Sequence, residues 1–418
     1  MTPTPATGGF RHLTTCRVCG SGDLADVVSL GSTPLANSFI SPARAAEPEP
    51  SYPLAVVRCT VCHLVQLSVV VDPALMFRDY LYSSSASTPT VAHFDAVADE
   101  LVARFGLAGK LVVEVGSNDG ILLKPLRDRG ALALGVEPAA NLAAVANARG
   151  LETRAEFFGA ETAGRLAAEK GRAAAVLANN VLAHIDDLHG VVRGLDALLA
   201  DDGFFAAEVP YLQDLLDRVE YDTIYHEHLS YFALAPLVTL ARDAGLEVFD
   251  VQRLMVHGGS IRVFIGRRGR HERTGRLDEL ERAERANGLL DDTTYRRFAG
   301  RVEESRTAIR AMLRGLRADG KRIAGLGASA KGNTLLNYCG IGPDILEFIG
   351  DSTTYKRDLL TPGTHIPVRA EGAIREARPD YTLLLAWNYA DVIVPRYADY
   401  RAGGGRFIHP IPLARVIE

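Results

Sequence analysis

Two clusters in this chain have residue types and spacing suited to chemistry. The first is a pair of cysteine knuckles, Cys16-Arg-Val-Cys19 and Cys59-Thr-Val-Cys62. Each offers two thiolates from one short turn, and two such turns suit a closed tetrahedral zinc site. With Cys16, Cys19, Cys59 and Cys62 filling every position, the expected metal is structural and leaves no open site for catalysis. Disulfides or buried free thiols are the alternative. No secretory leader pattern precedes the first pair, which predicts a reducing, cytoplasmic setting and favours zinc. The second cluster is Tyr225-His-Glu-His-Leu-Ser-Tyr-Phe232. It lacks the helical H-E-x-x-H spacing of zinc enzymes, so it points to proton chemistry rather than a metal. A histidine beside a carboxylate can be tuned as a general base near neutral pH. Tyrosine hydroxyls nearby can hydrogen-bond a developing enolate. A polar helix start with incidental histidines is the plainer alternative.

Two Gly-rich turns follow apolar strands. Leu111-Val-Val-Glu-Val-Gly-Ser-Asn-Asp-Gly-Ile121 reads as a strand, a turn and a helix start. Gly116 and Gly120 let backbone approach a ligand, and N–H groups at the helix start face it. The next strand ends at Glu137, where an acid suits the two hydroxyls of a ribose. Asn118 stands where the dinucleotide fingerprint has its middle glycine, so this is not that motif. Asn179, Asn180 and His184 follow a later core strand, at the strand ends where α/β sheets bind ligands. Helix capping and a surface histidine are the alternatives there. The second turn is Gly325-Leu-Gly-Ala-Ser-Ala-Lys-Gly-Asn-Thr-Leu-Leu336, without Walker spacing. Ser329, Lys331, Asn333 and Thr334 can offer hydroxyl, ammonium and backbone donors to phosphate oxygens. Tyr355, Lys356 and His365, after the next strand, either contact that phosphate or shape a domain interface.

Elements of three kinds must position these residues. A chain of 418 residues is too long for one core and implies two or three domains. Residues 1–72 read as a zinc-binding module. Residues 73–270 alternate strands, near 111–115, 133–137, 174–178 and 204–209, with Ala/Leu helices, which implies a parallel sheet covered on both faces. Residues 271–318 are dense in Arg and Glu and read as one or two exposed helices forming a solvated connector. Residues 319–418 resume the alternation as a second small α/β domain, with strands at 322–327, 345–350 and 381–387. His257-Gly-Gly-Ser-Ile-Arg262 reads as a turn required by topology. The net charge of −5, without a long basic block, argues against nucleic acid as partner. No apolar run reaches membrane-spanning length.

The turn at Glu114–Gly120, with Glu137 and Asn179, resembles class I S-adenosylmethionine-dependent methyltransferases. On that resemblance Glu114, Gly116, Ser117, Asn118, Asp119 and Gly120 cradle the methionine part of the donor. Glu137 holds the ribose, Phe157 and Phe158 sit near the adenine, and Asn179 lies near the amino group. The four-cysteine module, E-V-G-S-N-D-G, Y-H-E-H-L-S-Y-F and G-A-S-A-K-G-N-T-L-L-N occur here in one order. Together they resemble, over nearly the whole chain, the sugar C-methyltransferases of deoxysugar and antibiotic biosynthesis, whose substrates are TDP-linked 4-keto sugars. The resemblance implies an α/β fold: a zinc-binding module, a central Rossmann-like class I methyltransferase domain and a C-terminal Rossmann-like domain that binds the nucleotide sugar. It implies methyl transfer to C3, or C5, next to the C4 ketone, through an enolate. His228 is then the base, with Glu227 and Tyr225 orienting it or stabilising the enolate. His184 and a connector tyrosine, Tyr82 or alternatively Tyr80, close the pocket. Transfer to oxygen or nitrogen is a second reading, and a non-catalytic nucleotide-sugar sensor a third. A monomer or weak dimer is expected.

Overall fold

Apolar runs such as Leu111-Val-Val-Glu-Val and Ala174-Ala-Val-Leu-Ala bury both faces of a strand, so the sheet they form has to be covered on both sides. The computed structural model describes residues 9–77, 85, 88–256 and 258–417. Tyr80, Tyr82 and His257 lie outside the described residues. The central sheet contains β1 (Leu111–Val115), β2 (Leu132–Val136), β3 (Thr153–Arg154), β4 (Ala173–Asn179), β5 (Leu199–Pro210), β6 (Leu246–Leu254) and β7 (Ser260–Arg267), in the order β3-β2-β1-β4-β5-β7-β6. Strands β1 to β5 run parallel. The strand order reverses between β1 and β4, which opens a crevice at their carboxyl ends. This is the Rossmann-like α/β architecture expected.

One feature departs from the all-parallel expectation. Strand β7 pairs antiparallel with both β5 and β6. The turn before β7 makes the reversal, with Gly258 at φ +90° and Gly259 at φ +118°. A Cβ on Gly259 would lie 2.1 Å from an Asp214 carboxylate oxygen, so no side chain fits there.

The C-terminal sheet holds β8 (Ile323–Leu326), β9 (Ile349–Asp351), β10 (Val368–Ala370), β11 (Tyr381–Leu384), β12 (Arg406–His409) and β13 (Arg415–Ile417), in the order β10-β9-β8-β11-β12-β13. All but β13 are parallel. Strands β10, β12 and β13 had no sequence reading.

The connector is not a solvated spacer. Helices α1 (Gly275–Ala286) and α2 (Asp292–Ala318) do span it, but α2 buries Tyr295, Phe298, Val302, Ile309 and Leu313. These residues recur at helical spacing, and the arginines and glutamates between them mask the stripe. They join one continuous core with Val56 and Leu67 of the N-terminal region and Leu326 and Ile349 of the C-terminal sheet.

The N-terminal sheet is built from Leu24–Thr33, Tyr52–Cys59 and Val65–Leu67, and its fourth strand is Ser230–Tyr231. Ser230 pairs with Gln66 and Tyr231 with Val65. The cysteine module is thereby stitched, main chain to main chain, onto the Tyr-His-Glu-His segment. Among the described residues, no helix is long and apolar enough to cross a membrane.

Candidate active site and metal centre

The four knuckle cysteines converge. Their sulfur atoms all lie within 4.8 Å of one another, with Cys16–Cys62 at 3.4 Å and Cys19–Cys59 at 3.5 Å. A disulfide would need about 2.05 Å. Four sulfurs about 2.3 Å from a central zinc stand about 3.8 Å apart, so this donor set fits zinc. Backbone folding of the knuckles onto their own sulfurs, with Val18 N–H near Cys16 Sγ and Cys62 N–H near Cys59 Sγ, holds the set in place.

The crevice at the end of β1 brings Glu114, Gly116, Ser117, Glu137 and Asn179 together. Gly116 adopts φ +65°, and a Cβ there would meet Val181 at 2.5 Å. Glu137 reaches back from β2: one carboxylate oxygen accepts from Asn118 N at 2.8 Å and the other from Ala139 N at 2.9 Å. Burial raises its pKa. Glu114 is only 2% exposed, and burial pushes its pKa well above the usual carboxylate range. Asn179 Nδ2 lies 3.5 Å from its Oε1, while Oε2 and the hydroxyl of buried Ser117 have no partner among the described residues. Unsatisfied buried acceptors at a strand-end crevice fit a ligand carrying an ammonium and hydroxyls, as S-adenosylmethionine does. Buried Asp119 accepts from Ser85, the one described residue of the connector between Arg78 and Ala86. Gly120 closes the turn at φ +83°. Phe157 is 67% exposed, whereas Phe158 packs toward Gly194 on the helix Leu188–Leu198. Replacing Glu137 with Ala or Gln is expected to weaken donor binding roughly tenfold or more, since hydrogen bonds to a charged group contribute about 1.5–3 kcal/mol. Titration calorimetry with the donor checks this, and equal affinity would discard the ribose role.

The crevice runs directly into the histidine cluster. Val181, which closes over Gly116, opens the turn Leu182–His184, and the His184 ring meets the His228 ring edge-on at 4.9 Å. Leu229 N donates to Ala183 O at 2.6 Å, tying the two segments together. His228 Nδ1 lies 2.8 Å from the Thr223 carbonyl. A carbonyl only accepts, so Nδ1 carries the hydrogen and Nε2 presents its lone pair. Tyr225 OH donates to that Nε2 at 2.9 Å. Burial lowers the His184 pKa to about 4, so its imidazole is neutral at pH 7. Glu227 is buried, its pKa pushed up to about 7, and its carboxyl accepts from Asn37 Nδ2 at 2.6 Å. The other histidine, His226, turns away: it donates to Pro53 O and packs edge-on against Tyr52.

The second Gly-rich turn is more tightly wired than its sequence suggests. Ser329 caps helix α3 (Ala330–Cys339) by accepting from Gly332 N at 3.1 Å. Thr334 Oγ1 donates to Ala330 O, Asn333 Nδ2 to Ala36 O and Lys356 Nζ to Ala328 O. Lys331 Nζ sits 3.6 Å from Glu220 and over the Trp387 ring. Tyr355 is 41% exposed, and His365 pairs with Glu49 of the N-terminal region. Ser329, Lys331, Asn333, Thr334 and Lys356 therefore gather around one turn, and His365 faces a different element.

Several polar residues at the site had no sequence reading. Asn37 holds Glu227. Buried Glu220, its pKa raised to about 7 by burial, faces Lys331, and Trp387 Nε1 donates to buried Asp222 at 2.6 Å. On β5, fully buried Glu208 is paired with His93 at 3.0 Å and Arg262 at 2.7 Å, which hold its pKa down against its burial. Apart from Arg262, which ends the His257–Arg262 stretch, none belongs to a motif read from the sequence. Asn37 lies between the knuckles, far along the chain from Glu227, and only folding brings them together.

Three family models match along the chain. Residues 16–77 match the family described as "Putative zinc binding domain", 91–251 the "Methyltransferase domain" and 255–412 the "C-methyltransferase C-terminal domain". The chain is 45% identical over 410 residues to C-methyltransferase NovU of Streptomyces niveus, covering 98% of each. It is 30% identical over 165 residues to a ubiquinone biosynthesis O-methyltransferase of Pseudomonas paraeruginosa, covering 35% of this chain and 69% of that one. Among solved structures, magnesium protoporphyrin IX methyltransferase of Synechocystis with bound SAM shares 17% identity at a TM-score of 0.33, over 42% of this chain and 79% of that one. The PH0226 protein of Pyrococcus horikoshii shares 13% at 0.37, over 45% and 95%. At such scores these likenesses are too loose to bear on function.

Proposed function

The chain belongs to the C-methyltransferase family, and from that premise we propose that it methylates C3, the carbon next to the C4 ketone, of a TDP-linked deoxysugar. S-adenosylmethionine is the methyl donor, and the zinc is structural. When bound, the donor supplies an electrophilic methyl group on a sulfonium. The turn Glu114–Gly120 holds its methionine part, Glu114 and Asn179 take the amino group, Glu137 the ribose, and Phe157 and Phe158 flank the adenine.

The ketone acidifies the hydrogen on C3. His228 Nε2 removes that hydrogen, and the electron pair moves through C3–C4 onto the oxygen. The Tyr225 hydroxyl, 2.9 Å from Nε2 before substrate enters, can turn to the enolate oxygen. Glu227, protonated over part of the neutral range, is a second donor to that oxygen. His184, neutral and half-buried, keeps the His228 ring in one orientation. On the family resemblance, Tyr82, or alternatively Tyr80, is the residue assigned to closing the pocket. Ser329, Lys331, Asn333 and Thr334 bind the diphosphate, with Tyr355, Lys356 and His365 at its edge or at the domain interface. With the donor bound, the electron pair would return to C3 and form the new bond to the methyl group as the sulfur–methyl bond breaks and the donor leaves as a neutral thioether; the imidazolium would return its proton to solvent.

One observation carries this reading: the lone pair of His228 Nε2 stands beside a tyrosine hydroxyl, one turn of chain from the crevice at Gly116. Transfer to oxygen or nitrogen needs a base but no group to stabilise an enolate. The test incubates the enzyme and donor with a panel of nucleotide-linked keto sugars, follows mass gain, and assigns the product by NMR. A methyl on carbon next to the ketone is expected. A methoxy or N-methyl product would move the reaction to a heteroatom, and donor binding without turnover on any sugar would favour a sensor.

A further inference from the structure

Arg17 lies inside the first cysteine knuckle, and its side chain is 2% exposed. Its backbone N–H donates to Gln66 Oε1 at 3.0 Å. Its guanidinium forks. Nε donates to Asp186 Oδ1 at 3.1 Å, and Nη1 donates to Leu229 O at 2.9 Å and Leu67 O at 3.3 Å. Asp186 lies two residues after His184, and Leu229 directly follows His228. One planar group thus grips both histidine-bearing segments and the strand of the zinc module that pairs with one of them. A second tie runs in the same direction: His189 Nε2 donates to Val18 O at 2.8 Å.

We propose that Arg17 is a positioning residue for methyl transfer, fixing the His184 turn and the His228 segment relative to each other from within the zinc knuckle. The proposal rests on reading His228 as the base. It gives the N-terminal module a task beyond stability, since the knuckle geometry is transmitted through Arg17 to the imidazole that must meet the substrate carbon. Lysine cannot replace it, because a single ammonium lacks the rigid fork that serves Asp186 and Leu229 together. The fold does not depend on Arg17 alone. The Ser230–Gln66 and Tyr231–Val65 pairing and the Leu229–Ala183 hydrogen bond remain without it.

The test compares wild type, Arg17→Lys and Asp186→Ala, the last far along the chain from the cysteines, partly exposed and paired with Arg11 as well as Arg17. Zinc content and donor affinity are measured first and are expected to be unchanged. In a single-turnover reaction with the TDP-linked keto sugar, the rate constant is expected to fall roughly ten- to a hundredfold, the size of effect that a misplacement of about 1 Å produces. A variant that merely lost folded enzyme would show a smaller amplitude with the wild-type rate constant, and that result would overturn the proposal. Hydrogen–deuterium exchange of the unliganded protein gives an arm that needs no substrate. Peptides covering 225–232 and 182–186 should exchange about tenfold faster in both variants, with 111–115 unchanged. Exchange equal to wild type refutes the clamp, even if wild type turns over none of the sugars and the substrate reading has itself failed.

Discussion

The His228→Asn enzyme is expected to turn over roughly a hundred to ten thousand times more slowly than wild type while binding the methyl donor as before. Asparagine is the informative replacement because its amide can still donate to the Thr223 carbonyl, as Nδ1 does. What it lacks is a base in the place of Nε2. The Tyr225 hydroxyl then loses the acceptor it holds at 2.9 Å, while the Gly116 turn and Glu137 are untouched. Donor affinity therefore separates loss of the base from general damage. Stopped-flow or quenched single turnovers measure the rate, and calorimetry the affinity. An unchanged rate removes His228 as the base, and a matched loss of donor affinity would trace the defect to the fold.

Removing the metal should have a comparably large effect, on stability first. In small zinc modules the binding free energy is folding free energy, on the order of 10–16 kcal/mol in finger peptides. Here Cys59 and Cys62 bracket the turn that leads into Leu64, Val65 and Leu67, all buried. Val65–Leu67 in turn carries Ser230–Tyr231. Cys19→Ser, or chelation, is expected to lower the melting temperature, open the N-terminal region to protease and abolish activity together. Because protons compete with zinc for thiolates, the loss should be greater at lower pH. Thermal melts with zinc quantified by atomic absorption make the test. A protein that melts normally and stays active without the metal would end the structural assignment.

The parts of this molecule that were legible in its sequence are those whose signal is local. The four core strands announced themselves as apolar runs, three of them leading into Gly116, Glu137 and Asn179, and the cysteine knuckles by spacing alone. The two-layer logic of strands and helices then placed Gly116, Glu137 and Asn179 at one end of the sheet. What was illegible depends on partners far along the chain. Ser230–Tyr231 is a strand only because Gln66 and Val65 are there to pair with it. Asn37 acquires meaning only beside Glu227, and Arg17 only beside Asp186 and Leu229. The charged connector misled for a different reason: its composition is that of a solvated helix, while its spacing hides Phe298, Val302 and Ile309. In the Tyr-His-Glu-His segment the residue types were informative but could not tell the two histidines apart. The backbone does, turning His226 to Pro53 and His228 to Thr223.

The central claim is that the site makes a carbanion equivalent next to a ketone before any methyl moves. It is tested most directly without the methyl donor, by incubating the TDP-linked 4-keto sugar with enzyme in deuterium oxide and following the hydrogen next to the ketone by NMR and mass. The account predicts enzyme-dependent exchange of that hydrogen for deuterium, lost in His228→Asn. Exchange that proceeds equally well in His228→Asn, or a sugar methylated on carbon whose neighbouring hydrogen never exchanges with or without donor analogue bound, would contradict it.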